Sequence, residues 1–168
     1  MATTLLGNST TTFTNAKTFS AGKIAVAEFE SLAAGTMTDM ELYVTSATCT
    51  SLIVGIYENF SNAPRHVLAQ ATFSGTPGSA AWCKISGFNL TIAASTFYWL
   101  AFLPIGGEIT IHTAQPTSGG SNFDESSAST YTELTEPTWA GVKGLGPIAF
   151  RGIEEEIAPS IKLNQLLC

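Results

Sequence analysis

Apolar stretches of about five to nine residues recur along the chain at intervals of roughly ten, separated by clusters of Gly, Pro, Asn, Ser and Thr, the spacing of an all-β sandwich or barrel. The best stretches are 23–29, 37–45, 51–58, 67–73, 82–85, 96–103, 108–112, 131–134 and 147–151, with a further strand near 10–14. Helical spacing is almost absent. In 37–45, Met40, Leu42 and Val44 alternate with Asp39, Glu41 and Tyr43, which predicts a half-buried antiparallel strand with one solvated face. The runs Leu52-Ile53-Val54-Gly55-Ile56-Tyr57 and Phe97-Tyr98-Trp99-Leu100-Ala101-Phe102-Leu103 are apolar on both faces. They predict central strands with one side covered by a loop or another subunit.

The connections 59–65 and 74–79 carry Gly and Pro in turn-forming positions, since Gly supplies positive φ and Pro fixes φ while withholding a donor. The longest interruption, 113–130, is rich in Ser, Thr and Gly and contains Asp124 and Glu125. A surface loop is predicted there, and loops of that length are more often functional or mobile than idle. Three parts follow: 1–15, an N-terminal arm or edge strand; 16–153, the sandwich; and 154–168, a tail. In the tail the acidic run Glu154-Glu155-Glu156 precedes Ile157, Ile161, Leu163, Leu166 and Leu167. It is either a last element closing its own domain or an arm that docks on a neighbouring subunit, with those five residues as the partner-binding set.

Composition agrees with the pattern. Charged residues make up 12% of the chain and apolar ones 45%, and Glu, Lys and Arg, which populate solvent-facing helix surfaces, are scarce. The mean hydropathy of +0.22 excludes a disordered polymer, which combines high charge with low hydrophobicity. A length of 168 residues suits one domain that buries more than about 65% of its unfolded surface. The net charge of −6 offers no basic footprint for nucleic acid. No stretch approaches the roughly twenty apolar residues of a membrane span, and the first residues read as no secretory signal. The odd set Cys49, Cys83 and Cys168 has no C-x-x-C spacing, so buried free thiols are expected, with a Cys49–Cys83 bridge as the alternative. The sequons at Asn8, Asn59 and Asn89 are read as accidental outside a secretory context.

Catalytic patterns are missing. His66 and His112 are the only histidines, stand at strand ends and have no metal-ligand spacing. There is no G-x-S-x-G elbow. Asp124 and Glu125 offer too few oxygens for calcium on their own, and Glu58, Glu108 and Glu133 read as solvated strand-edge residues rather than a glycosidase pair. Glu154 to Glu156 reads as a solvated run blunting a strand end. No enzyme, metal or cofactor is expected. Aromatics beside loop-like sequence remain: Trp82, Tyr131 and Trp139 either cover the open ends of the sandwich or form a glycan platform, while Trp99 belongs to the core.

Between Met37 and Leu103, one pattern is specific enough to resemble a known family. Leu42-Tyr43 is followed by Val54-Gly55-Ile56-Tyr57, a polar turn ending at Pro64, Leu68-Ala69, Trp82 and Tyr98-Trp99-Leu100-Ala101. This resembles the jelly-roll β-sandwich domain of bacteriophage structural proteins, akin to carbohydrate-binding modules. The resemblance implies a single jelly-roll of about eight to ten antiparallel strands and a non-enzymatic virion protein assembled in the host cytoplasm. It further implies a capsid decoration or cement protein whose partners are the major capsid protein or other virion proteins, with a homo-oligomer, a trimer by analogy. The alternative it carries is a carbohydrate- or receptor-binding module of a tail or fibre.

Overall fold

The computed structural model describes residues 2–8, 15–113, 123–141 and 148–155. Among them there is no helix, and eleven strands form two antiparallel sheets facing each other across a shared core, a β-sandwich. Sheet A contains β1 (Thr3–Gly7), β2 (Asn15–Phe19), β4 (Gly35–Ala47), β7 (Ala81–Ile92), β9 (Ile109–Thr113) and β11 (Phe150–Glu154). Sheet B contains β3 (Ala25–Glu30), β5 (Ser51–Phe60), β6 (Ala63–Ser74), β8 (Phe97–Ile105) and β10 (Phe123–Glu125), in the order β10-β3-β8-β5-β6.

The pairing is that of one long ribbon. β2 pairs with β9, β3 with β8, β4 with β7 and β5 with β6, and successive rungs of this ribbon fall in alternate sheets. Contacts of β4 with β9 and of β5 with β8 close each sheet. β11 lies along the middle of β4, from Asp39 to Leu42, and β1 pairs with β11 at the edge of sheet A.

β4 follows its alternation in the core, where Met40, Leu42 and Val44 are buried, and Glu41 and Tyr43 are half-buried on the other face. Asp39, expected on that solvated face, is instead buried, accepting from Thr38 Oγ1 at 2.7 Å and lying 3.6 Å from Lys84 Nζ. Its partner β7 breaks its alternation at Gly87, whose φ of +108° forms a bulge. The inserted residues reset the pleat, so Cys83 and Ile85 before the bulge and Phe88 and Ile92 after it all reach the core. Phe102 stands at the centre, edge-on to Phe19 at 4.8 Å and to Phe150 at 6.1 Å.

β5 and β8, apolar on both faces, lie centrally in sheet B as predicted, and the cover for their outer face is a loop. On that face Ile24, Val26, Ile53, Tyr57, Trp99, Ala101 and Leu103 form a second buried cluster with Leu134. A strap of irregular chain, residues 126–141, lies over it. Tyr57 Oη donates to Thr135 O at 2.6 Å, Trp139 Nε1 donates to Pro64 O at 3.1 Å, and Leu134 N–H donates to Gln70 Oε1 at 3.3 Å. Gly55 is the point of closest approach: a Cβ there would lie 2.4 Å from Leu134 Cδ1 and 2.8 Å from Ala69 O.

The strap corrects one prediction. Residues 131–134 are no strand; Tyr131 and Leu134 instead anchor irregular chain to the sheet. The stretch 113–130 is not wholly a surface loop either, because β10 pairs with β3 and buries Asp124 and Glu125. The Glu125 carboxylate is shared by Lys17 and, at 3.4 Å, Lys23, and Lys17 Nζ also sits 4.8 Å from the Phe19 and Phe123 ring centroids. These cations arrive from β2 and the β2–β3 turn and compensate the buried Glu125 carboxylate, while Asp124 Oδ1 accepts the Glu125 N–H at 2.7 Å. The predicted strand near 10–14 and Glu156 lie outside the described residues.

Candidate functional site

The three aromatics predicted as a glycan platform occupy opposite sides of the sandwich. Tyr131 and Trp139 belong to the strap over sheet B, packed on the cluster containing Tyr57, whose ring meets Trp139 edge-on at 5.8 Å. Tyr131 also lines a shallow cleft of about 240 Å³ with Ala21, Gly22, Ile105 and Thr130. Trp82 lies on β7, on the outer face of sheet A. The structure joins Tyr131 to Trp139 through a common base and brings neither to Trp82.

Around Trp82 the register of β7, β4, β9 and β11 writes two rows across sheet A. In one, Trp82, Tyr43 and His112 follow each other with ring centroids 5.5 and 4.9 Å apart and planes at 81° and 77°. In the next, Lys84, Glu41 and Arg151 are cross-strand neighbours. Arg151 Nε donates to Glu41 Oε2 at 2.7 Å, and the guanidinium lies 4.3 Å from the Trp82 ring centroid. Lys84 reaches Glu155 at 2.9 Å and Asp39 at 3.6 Å, and the hydrogen bond to Glu155 holds its pKa above the ordinary lysine value. Rings set nearly perpendicular, one of them capped by a cation, interlock the strands and leave no broad flat surface. His112 is thus a member of an aromatic row. His66 stands between Glu136, which contacts its Nδ1, and Glu58, 3.6 Å from Nε2.

Glu58 is half-buried, and Glu108 and Glu133 are exposed. Glu154 is engaged rather than freely solvated: its Oε1 accepts the Thr36 N–H at 3.1 Å, which ties β11 to the start of β4. Cys49 and Cys83 are free and buried in the core. Burial raises the Cys49 thiol pKa, and burial with the nearby Cys49 pushes Cys83 up to about 11. The sequon residue Asn59 spends its amide inside the fold, donating to Glu28 Oε1 at 2.8 Å and accepting from Trp99 Nε1 at 3.2 Å.

One surface was not singled out by the sequence. The β3–β4 turn (31–34), the β5–β6 turn (61–62) and the β7–β8 turn (93–96) lie at one end of the sandwich and contain no charged residue. That end carries three of the four large exposed apolar side chains among the described residues: Leu32 at 68%, Phe60 at 54% and Phe97 at 46% exposure. It is built rigidly. Ser31 Oγ donates to Ala93 O at 2.5 Å and accepts from Thr96 N–H at 2.9 Å, locking two turns together. Ser61 and Asn62 have φ of 53° and 60°, the two positive values of a type I′ hairpin turn. The signal was ambiguous: Phe97 opens an apolar run, whereas Phe60 is separated from one by Glu58 and Asn59 and reads as part of a connection.

The predicted partner-binding residues Ile157, Ile161, Leu163, Leu166 and Leu167 lie outside the described residues. The described chain leads up to them at Glu155, whose N–H donates to Thr38 Oγ1 at 3.0 Å. Among the described residues no three His, Cys, Asp or Glu side chains gather into a metal-holding group. In comparison with known proteins, no family model matches the chain and no curated sequence matches it.

Proposed function

We propose that this protein is a non-enzymatic structural component of a virion, a decoration or cement protein that stabilises a bacteriophage capsid through protein–protein contacts. The observation that carries the reading is the uncharged, rigid end of the sandwich bearing Leu32, Phe60 and Phe97. Large apolar side chains gathered on preorganised turns lose little entropy when covered, and contact surfaces favour aromatic anchors and disfavour charge at their centre. The ribbon in which β2 to β9 alternate between sheets supports a jelly-roll reading, in line with the resemblance of the segment from Met37 to Leu103.

A protein that binds the assembled shell in preference to free subunits stabilises the shell by mass action. Capsids lacking the protein, mixed with it and sedimented, are expected to carry it down and to melt at a higher temperature. A Leu32→Ser/Phe97→Ser variant with unchanged folding is expected to lose most of that effect. Failure of the wild-type protein to co-sediment overturns the reading. The carbohydrate-binding alternative draws on Trp82, Tyr131 and Trp139, which stand on two different faces, so it has less geometry behind it.

A further inference from the structure

β6 is the last strand of sheet B, and its two halves present different edges. Among the described residues, no strand pairs with the side of β6 that faces away from β5. The half near the uncharged end carries Pro64, Arg65 and a bulge at Leu68, where Ile56 pairs with Ala69 but Tyr57 with Val67. Proline, charge and bulges are the devices that keep an open edge from pairing. The other half, residues 69–74, has none of them. There Ala69, Ala71 and Phe73 pack against the shared core yet stay half-buried, while Gln70, Thr72 and Ser74 alternate with them and are exposed. Leu68, the fourth large exposed apolar side chain, adjoins this stretch at 40% exposure. β7, which among the described strands pairs only with β4, is guarded by Lys84 and by the Gly87 bulge. The unguarded edge is therefore the far half of β6.

We propose that residues 69–74 of β6 are a strand-addition site for the same strand of a second copy, joined antiparallel about a two-fold axis normal to sheet B. With the axis at Ala71, that residue faces its own copy, Ala69 faces Phe73 and Gln70 faces Thr72. Rotation about the sheet normal keeps the core side of each copy on the same side. Half-buried apolar residues therefore meet one another, polar ones meet on the outer side, and a slip of one residue, which would mix the two, is excluded. Each Phe73 lies opposite an alanine, which leaves it room. The backbone groups that point away from β5 gain partners. Charge favours a second copy as the occupant. The chain has a net charge of −6, yet residues 59–107 contain no Asp or Glu, and residues 68–74 contain no charge at all. Two acidic chains meet here without opposing their acids, and symmetry supplies the alternation and neutrality that the edge requires. The site is separate from the proposed capsid contact. It lies on the half of β6 away from the turn 61–62, and the axis sets the two uncharged ends at opposite ends of the pair, both open. A contact this short buries less than the roughly 800 Å² per partner of a standard interface, so the expected dissociation constant is about 10–100 μM.

The test places charges beside the axis. Thr72 is exposed, and in this pairing the two Thr72 side chains are diagonal neighbours about 7–8 Å apart. Sedimentation velocity over a wide concentration range at low ionic strength compares wild type, Thr72→Lys, Thr72→Glu and an equimolar mixture of the two variants, and thermal melting verifies that each folds. Wild type is expected to move from monomer to dimer with rising concentration. Each variant alone sets like charges across the axis and is expected to associate at least about fivefold more weakly. The mixture sets opposite charges there and is expected to dimerise at least as well as wild type. Hydrogen exchange followed by NMR locates the contact. Alternate amides within 69–74, those pointing away from β5, are expected to gain protection as concentration rises, while those of the turns 31–34 and 93–96 do not. A wild type that stays monomeric, protection that arises elsewhere, variants that associate normally, or a mixture that fails to recover each overturn the proposal. Co-sedimentation with capsids is scored separately. A monomeric wild type that still binds capsids rejects the pairing and leaves the structural function standing; a dimer that binds none does the reverse.

Discussion

The outer face of sheet A presents Glu41, Tyr43, Trp82, Lys84, His112 and Arg151 in interlocked rows, half-buried or exposed. The outer face of sheet B presents Val26, Ile53, Tyr57, Trp99, Ala101 and Leu103, and all of these are buried beneath the strap. Both sheets have the same pleat and share one core, so the difference arises in the outward-facing half of each strand. Where that half is polar or aromatic, cross-strand pairs satisfy it in place. Where it is apolar, the chain must supply a second layer, and residues 126–141 supply it without regular structure. The strap holds on through side chains inserted among those of the sheet and through side-chain-to-backbone hydrogen bonds.

The comparison predicts that sheet B loses far more from a truncation on its outer side than sheet A does. Leu134, 4% exposed, is the strap side chain buried in the apolar cluster on the sheet. Leu134→Ala is expected to cost about 2–5 kcal/mol of unfolding free energy, the range for removing a buried leucine side chain and leaving a cavity. Urea denaturation measures it. A loss below about 1 kcal/mol would mean that the strap rests on the sheet without closing it, and the contrast between the faces would fail.

A smaller effect sharpens the same contrast through pH. The Tyr57 phenol, under the strap, has its pKa raised above the ordinary value near 10, first by burial and then by the negative charge of Glu136 and by Tyr131. The folded protein therefore keeps this proton when the unfolded chain releases it. Stability from this source is complete below pH 10 and declines as pH rises beyond it. Cys83 adds to the alkaline decline from about pH 9, since its thiol is pushed up to about 11. Tyr57→Phe is expected to cost about 1–2 kcal/mol at neutral pH through the unpaired Thr135 carbonyl, and to make the decline above pH 10 shallower. Urea midpoints across the alkaline range report both, and an unchanged slope would place Tyr57 in water rather than under a cover.

The same contrast shows what was legible in the sequence. The alternation around Met40, Leu42 and Val44 placed one face of β4 in the core, and the unbroken apolar runs of β5 and β8 demanded a cover, because side-chain period is a property of each strand alone. The identity of the cover was not legible. Tyr131-Thr132-Glu133-Leu134 has the composition of a strand, and only contact with Tyr57, Gln70 and Trp99, distant in sequence, makes it a strap. Asp124 and Glu125 looked like loop residues because the cations that hold Glu125, Lys17 and Lys23, lie about a hundred positions away. β1 and β2, rich in Thr and short, carried too little apolar signal to be placed by pattern. The uncharged end was hidden for a related reason: exposure of Leu32, Phe60 and Phe97 depends on where three separate turns stop relative to one another.

The smallest expected effect tests sheet A. Arg151 has a side chain 24% exposed, an ion pair with Glu41 and a stacking contact with Trp82. Each interaction contributes up to about 1 kcal/mol at a surface where water and salt compete. Because the two share one guanidinium, Arg151→Ala is expected to cost about 1 kcal/mol in total. Arg151→Lys separates the contributions, since an ammonium retains charge for Glu41 but loses the flat, weakly hydrated surface that lies on the indole. If the stacking matters more, the lysine variant will resemble alanine and its stability will respond little to added salt. If the ion pair matters more, it will resemble wild type and weaken as salt rises. A loss of several kcal/mol would instead mean that the rows on sheet A are as tightly bound into the fold as the covered face of sheet B.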